Sequence, residues 1–408
     1  MNLRPGSPAE LRLSGDVVPA MTKYFDLFPV ERSADLITWQ SVATVFRSNL
    51  TNAVMFSAEM PAGSAMGFYR TPTEALSTAF RPPTGAYSVG VRSMQMEDSE
   101  RTNRFGIRGN RSFMVNVWYP AERVAGGMPA LYEDPRLARM SSYWGESTLI
   151  TTRLHTHSVE GAPMSVVGGR FPVVIYSHGL GDAAGRAVRT ENSRMVEDLA
   201  SHGYVVVSMD HTEAFACVLA SGDVLMGRNI WAFNFMNERK RDIGLLLDWI
   251  ASWDLEDQWL QGRLDRERIG IMGWSFGGGT AAETTKSEDR LKAAVLVDAY
   301  LASSPQALGT GVGKPFLSMN SGALMSENTA LFNKAVKDAY LFTIKGSNHE
   351  GFTDNAWILS PSAARRRQAE AMSACVVAFF DKHLRGIDNH LLDAPGATWP
   401  EVIGFKSK

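Results

Sequence analysis

Cysteine is nearly absent: two in 408 residues, too few for a disulfide framework. Neither Cys217 (in Ala214-Phe215-Ala216-Cys217-Val218) nor Cys375 (in Ala374-Cys375-Val376-Val377) has Cys-x-x-Cys spacing. Both read as small buried hydrophobes rather than zinc ligands. Long apolar runs are also missing, and no uncharged stretch reaches the roughly 18 residues that a membrane span needs. An excess of charge is lacking too. The formal net charge is −2, which excludes a global electrostatic attraction to nucleic acid or to anionic membrane. The densest basic run, Arg365-Arg366-Arg367, reads as the solvated face of a helix. Internal repeats and low-complexity linkers are absent. The opening Met1-Asn2-Leu3-Arg4-Pro5-Gly6-Ser7-Pro8 lacks the apolar segment of a secretory signal. The sequons at Asn49-Leu50-Thr51 and Asn110-Arg111-Ser112 therefore carry little weight, and the chain is expected to be soluble and cytoplasmic.

What is present is the composition of a globular protein, 45% apolar and 21% charged, enough to bury a large core. Residues 1–84 lack strong periodicity and are expected to form an extension packed on the main body, with short helices at Met21 to Phe28 and Ala43 to Phe56. Residues 85–408 form the main domain. It opens with two strands, Tyr87–Val91 and Ser112–Tyr119, joined by a charged turn region from Glu97 to Arg111. An insertion of about 120–169 follows. Six short apolar runs come next: Phe171–Ser177, Tyr204–Met209, Ile269–Trp274, Ala293–Val297, Phe316–Met319 and Tyr340–Ile344. Helical periodicity covers Ala187 to Ser201, Asn237 to Ser252, Gly277 to Lys286, Ser326 to Ala339 and about Ala363 to Leu384. Buried strands alternating with helices predict an α/β fold: a mostly parallel sheet with helices on both faces, and the two early strands at an antiparallel edge.

Gly273-Trp274-Ser275-Phe276-Gly277 sits between the third of these runs and a helical stretch. A strand that turns sharply into a helix lifts the serine hydroxyl out of the sheet, and the flanking glycines permit the close backbone approach. That context points to the α/β-hydrolase fold with Ser275 as nucleophile. A hydroxyl needs a base, and the base an orienting acid, in the chain order Ser, Asp or Glu, His. His349, His383 and His390 lie downstream. His383 falls inside the last helix and His390 beyond it, whereas His349 lies in a Gly-flanked loop after a strand, where catalytic groups belong. Asp298, closing the strand Ala293–Val297, is preferred as acid over Asp354 and over Glu350, whose place beside the histidine makes its side chain diverge. Oxyanion donors are expected from the backbone N–H groups of Leu180, in Ser177-His178-Gly179-Leu180-Gly181-Asp182, and Phe276. His178 precedes the acid in the chain and is expected to hold its loop. Trp274, Trp231 and Phe233 are candidate substrate contacts; for the aromatics of the insertion and of Trp231–Phe235, ordinary core packing remains equally open.

Several segments together are similar to one family, the plasma-type and intracellular type II platelet-activating factor acetylhydrolases and their microbial relatives, which overlap the dienelactone-hydrolase-like group. They are Tyr87-Ser88-Val89-Gly90, Phe171 to Gly181, Ile271 to Gly278, Val297-Asp298-Ala299-Tyr300 and Ile344-Lys345-Gly346-Ser347-Asn348-His349. The resemblance spans about residues 85 to 385. It implies a Ser275–Asp298–His349 triad, donors at Leu180 and Phe276, no metal and no cofactor, and cleavage of short-chain acyl esters, including sn-2 acyl groups of phospholipids. Small-molecule or lipid esters are then the partners, with no nucleic acid. Two departures stand out: Trp274 occupies the place of a usual histidine, and the first 80 residues have no counterpart. Amidase or lactonase action on a secondary metabolite, or a cyclising thioesterase or acyltransferase, remains the alternative. A hydrolase-fold binding protein is disfavoured by the intact Ser, Asp and His.

Overall fold

The computed structural model describes residues 81–103, 109–134, 137, 154–180, 188–214, 216–226, 235–354, 356 and 362–408, and the backbone of five strands between residues 9 and 70. The chain forms two compact units, residues 1–79 with 131–156, and residues 80–130 with 157–408. The middle of the insertion is thus grouped with the N-terminal region rather than with the segments that flank it.

In the first unit Ala9–Ser14 pairs antiparallel with Ala53–Ala58, and Asp26–Ser33 lies between Gln40–Arg47 and Phe68–Arg70. The short helices expected at Met21 to Phe28 and Ala43 to Phe56 are corrected where these strands overlap them, at residues 26–28, 43–47 and 53–56; residues 21–25 and 48–52 lie outside the described residues. Runs this short do not separate the two periodicities, and residues such as Val45, Phe46, Val54 and Phe56 favour the extended state.

The second unit is built on a sheet that includes β1 (Ser88–Thr102), β2 (Asn110–Ala121), β3 (Phe171–Ser177), β4 (Val205–Met209), β5 (Leu264–Trp274), β6 (Leu291–Val297), β7 (Phe316–Asn320), β8 (Ala339–Ile344) and β9 (Val402–Ser407), with the short strands Pro129–Leu131 and His155–Glu160 beyond β1. Their spatial order is β9-β8-β7-β6-β5-β3-β4-β2-β1. The strands from β8 to β4 are mutually parallel, while β2 runs antiparallel to β4 and β1, and β9 antiparallel to β8. The charged stretch after Glu97 does not turn at once: β1 continues to Thr102, with Asp98 still paired to Arg111 in register.

The helices that matter to the site are α1 (Ser193–Ser201), α2 (Phe235–Glu256), α3 (Phe276–Ser287), α4 (Met325–Asn333) and α5 (Ala363–Phe380). Every residue of β3 is buried, and its alternation sends successive side chains to opposite layers. Val173 and Ile175 join Ile243, Leu246 and Ile250 of α2. Val174 and Tyr176 join Val196 and Leu199 of α1 and Met372, Cys375 and Phe379 of α5. This two-sided burial explains why the parallel strands are continuous apolar runs. Both cysteines are buried and free. Among the described residues no helix is long and apolar enough to cross a membrane.

The chain passes from β3 outward to β4, then returns across β3 to β5 and proceeds the other way. The loops leaving β3 and β5 therefore diverge at the switch point of the sheet, where an open α/β sheet forms its ligand crevice.

Candidate active site

β5 ends at Trp274 and α3 begins at Phe276, so Ser275 alone makes the turn. Its backbone is held at φ 57°, ψ −122°, a conformation that suits glycine. The turn is braced by Ser275 N–H donating to Val297 O (3.0 Å) and by Tyr300 N–H donating to Ser275 O (2.9 Å). The flanking glycines are required sterically. A Cβ on Gly277 would lie 2.0 Å from Ser177 O, and one on Gly273 would lie 2.2 Å from Gly277 O.

Three side chains from three different strand ends meet here. His349 follows β8, and its Nε2 lies 2.9 Å from Ser275 Oγ. Its Nδ1 lies 2.6 Å from Asp298 Oδ2, just beyond β6. Asp298 is fully buried, whereas the His349 side chain is 35% exposed. Ser321, after β7, gives Asp298 two further hydrogen bonds of 2.8 Å each, from its N–H to Oδ1 and from its hydroxyl to Oδ2. Reading the sequence missed this serine; its only signal is a position just past the end of a parallel strand. The other acids considered lie elsewhere: Asp354 is buried with its Oδ2 accepting from Arg194 N–H (3.2 Å), and neither it nor Glu350 is the carboxylate on the His349 ring.

Trp274 is 3% exposed. Its indole N–H donates to His349 O (3.1 Å), and its ring lies 4.8 Å from the imidazole at 31°. It is thus placed beside the histidine. Trp231 and Phe233 lie outside the described residues.

The loop after β3 runs against Ser275, since a Cβ on Gly179 would come within 3.4 Å of Ser275 Cβ. His178 is fully buried within it. His211 N–H donates to His178 Nε2 (2.8 Å), which leaves Nδ1–H to donate to Gly179 O (2.8 Å). Burial first, then the Arg239 guanidinium, pushes the His178 pKa well below the ordinary histidine value, so the ring is a neutral strut. Gly179 N–H donates to Glu191 Oε1 (3.0 Å), which also accepts from Tyr176 Oη (2.7 Å). Among the described residues no hydrogen bond is formed by Leu180 N–H, and Phe276 N–H, first in its helix, has no intrahelical acceptor. The start of α3 adds partial positive charge beside Ser275.

A doubly covered, mostly parallel sheet with Ser275 at the strand-to-helix turn fits the α/β-hydrolase type, and comparison with known proteins shows a carboxylic ester hydrolase. A solved structure, a ferulic acid esterase from Streptomyces cinnamoneus, superposes with a TM-score of 0.66 at 26% identity, covering 78% of this chain and 97% of that one. The family model described as platelet-activating factor acetylhydrolase, isoform II, matches residues 73–222 and 242–373. The chain belongs to that family. Among curated relatives, the platelet-activating factor acetylhydrolase of Cavia porcellus is 24% identical over 332 residues, 71% of this chain and 73% of its own. A probable 1-alkyl-2-acetylglycerophosphocholine esterase of Arthroderma benhamiae is 24% identical over 270 residues, covering 57% and 65%.

Proposed function

We propose that this chain hydrolyses short-chain acyl esters, including the sn-2 acetyl group of ether phospholipids, through an acyl-enzyme on Ser275. The observation that carries the reading is the continuous chain Asp298 Oδ2···Nδ1 His349 Nε2···Oγ Ser275, with spacings of 2.6 and 2.9 Å. A serine hydroxyl with an imidazole at this distance can lose its proton as it attacks.

In the first step Ser275 Oγ bonds to the ester carbonyl carbon while its proton passes to His349 Nε2. Asp298, fixed by Ser321, holds Nδ1–H and balances the imidazolium. The carbonyl oxygen, now an oxyanion, accepts from Leu180 N–H and Phe276 N–H. Collapse breaks the bond to the leaving alcohol, which takes the proton from Nε2. Water then attacks the acyl-enzyme by the same route, giving the acid and free Ser275. Trp274 holds the histidine in place through its carbonyl.

The acyl preference rests on the family, named for a platelet-activating factor acetylhydrolase, and on a relative named as a probable 1-alkyl-2-acetylglycerophosphocholine esterase. A hydroxycinnamoyl ester is the second reading, supported by the ferulic acid esterase whose whole length this fold nearly covers. Purified protein should be assayed on p-nitrophenyl esters of rising chain length, an sn-2 acetyl ether phospholipid, a methyl hydroxycinnamate and an anilide. Best turnover on acetyl esters is expected. Preference for the hydroxycinnamate would replace the acetyl reading, and preference for the anilide would overturn ester hydrolysis as the main activity.

A further inference from the structure

Arg239, near the start of α2, is fully buried, yet nothing in the reaction above uses it. Its Nη1 donates to His178 O (2.7 Å) and its Nη2 to Gly179 O (2.9 Å). Its Nε donates to Glu213 Oε1 (2.8 Å), and the guanidinium lies 4.8 Å from the centre of the Phe276 ring. One planar cation therefore touches the loop that bears Leu180 and the residue that bears the second N–H donor.

The peptide bond is planar and trans, so fixing a carbonyl fixes the N–H across the same bond, which points the opposite way. Gly179 O and Leu180 N–H belong to one peptide unit. We infer that Arg239 is a positioning residue for ester hydrolysis: by gripping the His178 and Gly179 carbonyls, it turns Leu180 N–H toward Ser275 and polarises it for the oxyanion. The inference rests on the acyl-enzyme reading given above.

The grip is doubled. His178 Nδ1–H shares Gly179 O, and Glu191 takes Gly179 N–H, so the His178–Gly179 peptide plane is held at both ends and the Gly179–Leu180 plane is held twice at its carbonyl. A positive charge on a carbonyl oxygen draws electron density across the amide, which strengthens its N–H as a donor. The charge is itself balanced. Glu213 also faces Arg111 (3.5 Å), and Arg111 Nε donates to Asp242 Oδ1 (2.6 Å), one turn along α2 from Arg239. Burial pulls the Arg239 pKa down and Glu213 opposes it; a guanidinium so paired remains a cation at neutral pH.

The test compares wild type, Arg239→Met, Arg239→Lys and Ser275→Ala on p-nitrophenyl acetate, and measures inhibition by a trifluoromethyl ketone, whose adduct with Ser275 carries an oxyanion. Arg239→Met is expected to lower kcat about 10²–10³-fold, the effect of losing one oxyanion donor, with KM within about threefold. Ketone affinity should fall by the same factor. Arg239→Lys keeps the charge beside Glu213, but its single head cannot span both carbonyls, so an intermediate loss is expected. It also serves if the methionine variant does not fold. A folded Arg239 variant whose kcat or ketone affinity stays within threefold of wild type, beside an inactive Ser275→Ala, overturns this inference alone. Wild-type turnover in Ser275→Ala overturns the acyl-enzyme reading, and this inference with it.

Discussion

Among the described residues are two serine–histidine pairs of almost the same length, at the ends of adjacent strands. Ser275 Oγ lies 2.9 Å from His349 Nε2, and Ser177 Oγ lies 2.8 Å from His211 Nε2. Distance does not distinguish them, but their surroundings do. His349 has a carboxylate on its far nitrogen and an open face. His211 is sealed in the core, and among the described residues its Nδ1 has no hydrogen-bond partner. Burial first, then Arg239, pushes the His211 pKa well below the ordinary value. It would make a weak base, and no acid sits on its ring to receive the charge it would gain. Ser275 is also set at a strained turn, whereas Ser177 lies in the regular register of β3 beside Gly273. The carboxylate, the access and the turn thus separate the pair at Ser275 from the sealed pair at Ser177, where the hydrogen bond stands alone.

The sharpest way to break this comparison is to delete each hydroxyl. Ser275→Ala should lower kcat on the order of a million-fold, as for known triads, and abolish labelling by a fluorophosphonate. A label mapped to Ser177 instead would reverse the two roles. Removing the acid tests the first difference. Asp298→Asn should cost about 10⁴-fold in kcat with the fold intact, because the amide favours the wrong tautomer of His349; a loss below tenfold would show that the acid is not needed.

The buried pair should reveal itself through stability rather than rate. His178 and His211 both have depressed pKa values in the folded chain, so an unfolded chain binds protons that the native one refuses. Stability is then complete above about pH 6.5 and falls as pH drops below it, by roughly 1.4 kcal/mol per pH unit per histidine. Urea unfolding at pH 7, 6 and 5 should give a slope shallower by about that amount in His211→Gln. Equal slopes would mean that His211 is already protonated in the native state. The smallest effect belongs to Ser177→Ala, with kcat within about tenfold of wild type and a stability loss of roughly 1–3 kcal/mol from the unpaired His211 nitrogen.

Much of this arrangement was legible in residue order. The run Phe171–Ser177 is a strand with those very bounds, because a segment buried on both faces can carry no polar interruption. Ser275, Asp298 and His349 could be brought together on paper because the fold delivers strand ends to one crevice in a known order. Arg239 could not. In sequence it sits in Glu238-Arg239-Lys240-Arg241, which reads as a solvated helical turn; only packing shows that this one member faces inward. Strand β9 was missed for the opposite reason. Of its residues only Val402 is buried, so it lacks the alternation that marks an edge strand. The N-terminal strands failed because their runs are too short for either period to assert itself.

The turn at Ser275 has one more consequence, for the history of the protein rather than its chemistry. A serine held at φ 57° carries about 1–3 kcal/mol of strain, and glycine would relieve it, less roughly 0.5–1 kcal/mol for its freer unfolded chain. Ser275→Gly should therefore melt no lower than wild type while turning over nothing. A library selected for heat tolerance without a substrate would be free to discard the hydroxyl first, and one selected on an ester would have to keep the strain and find its added stability elsewhere.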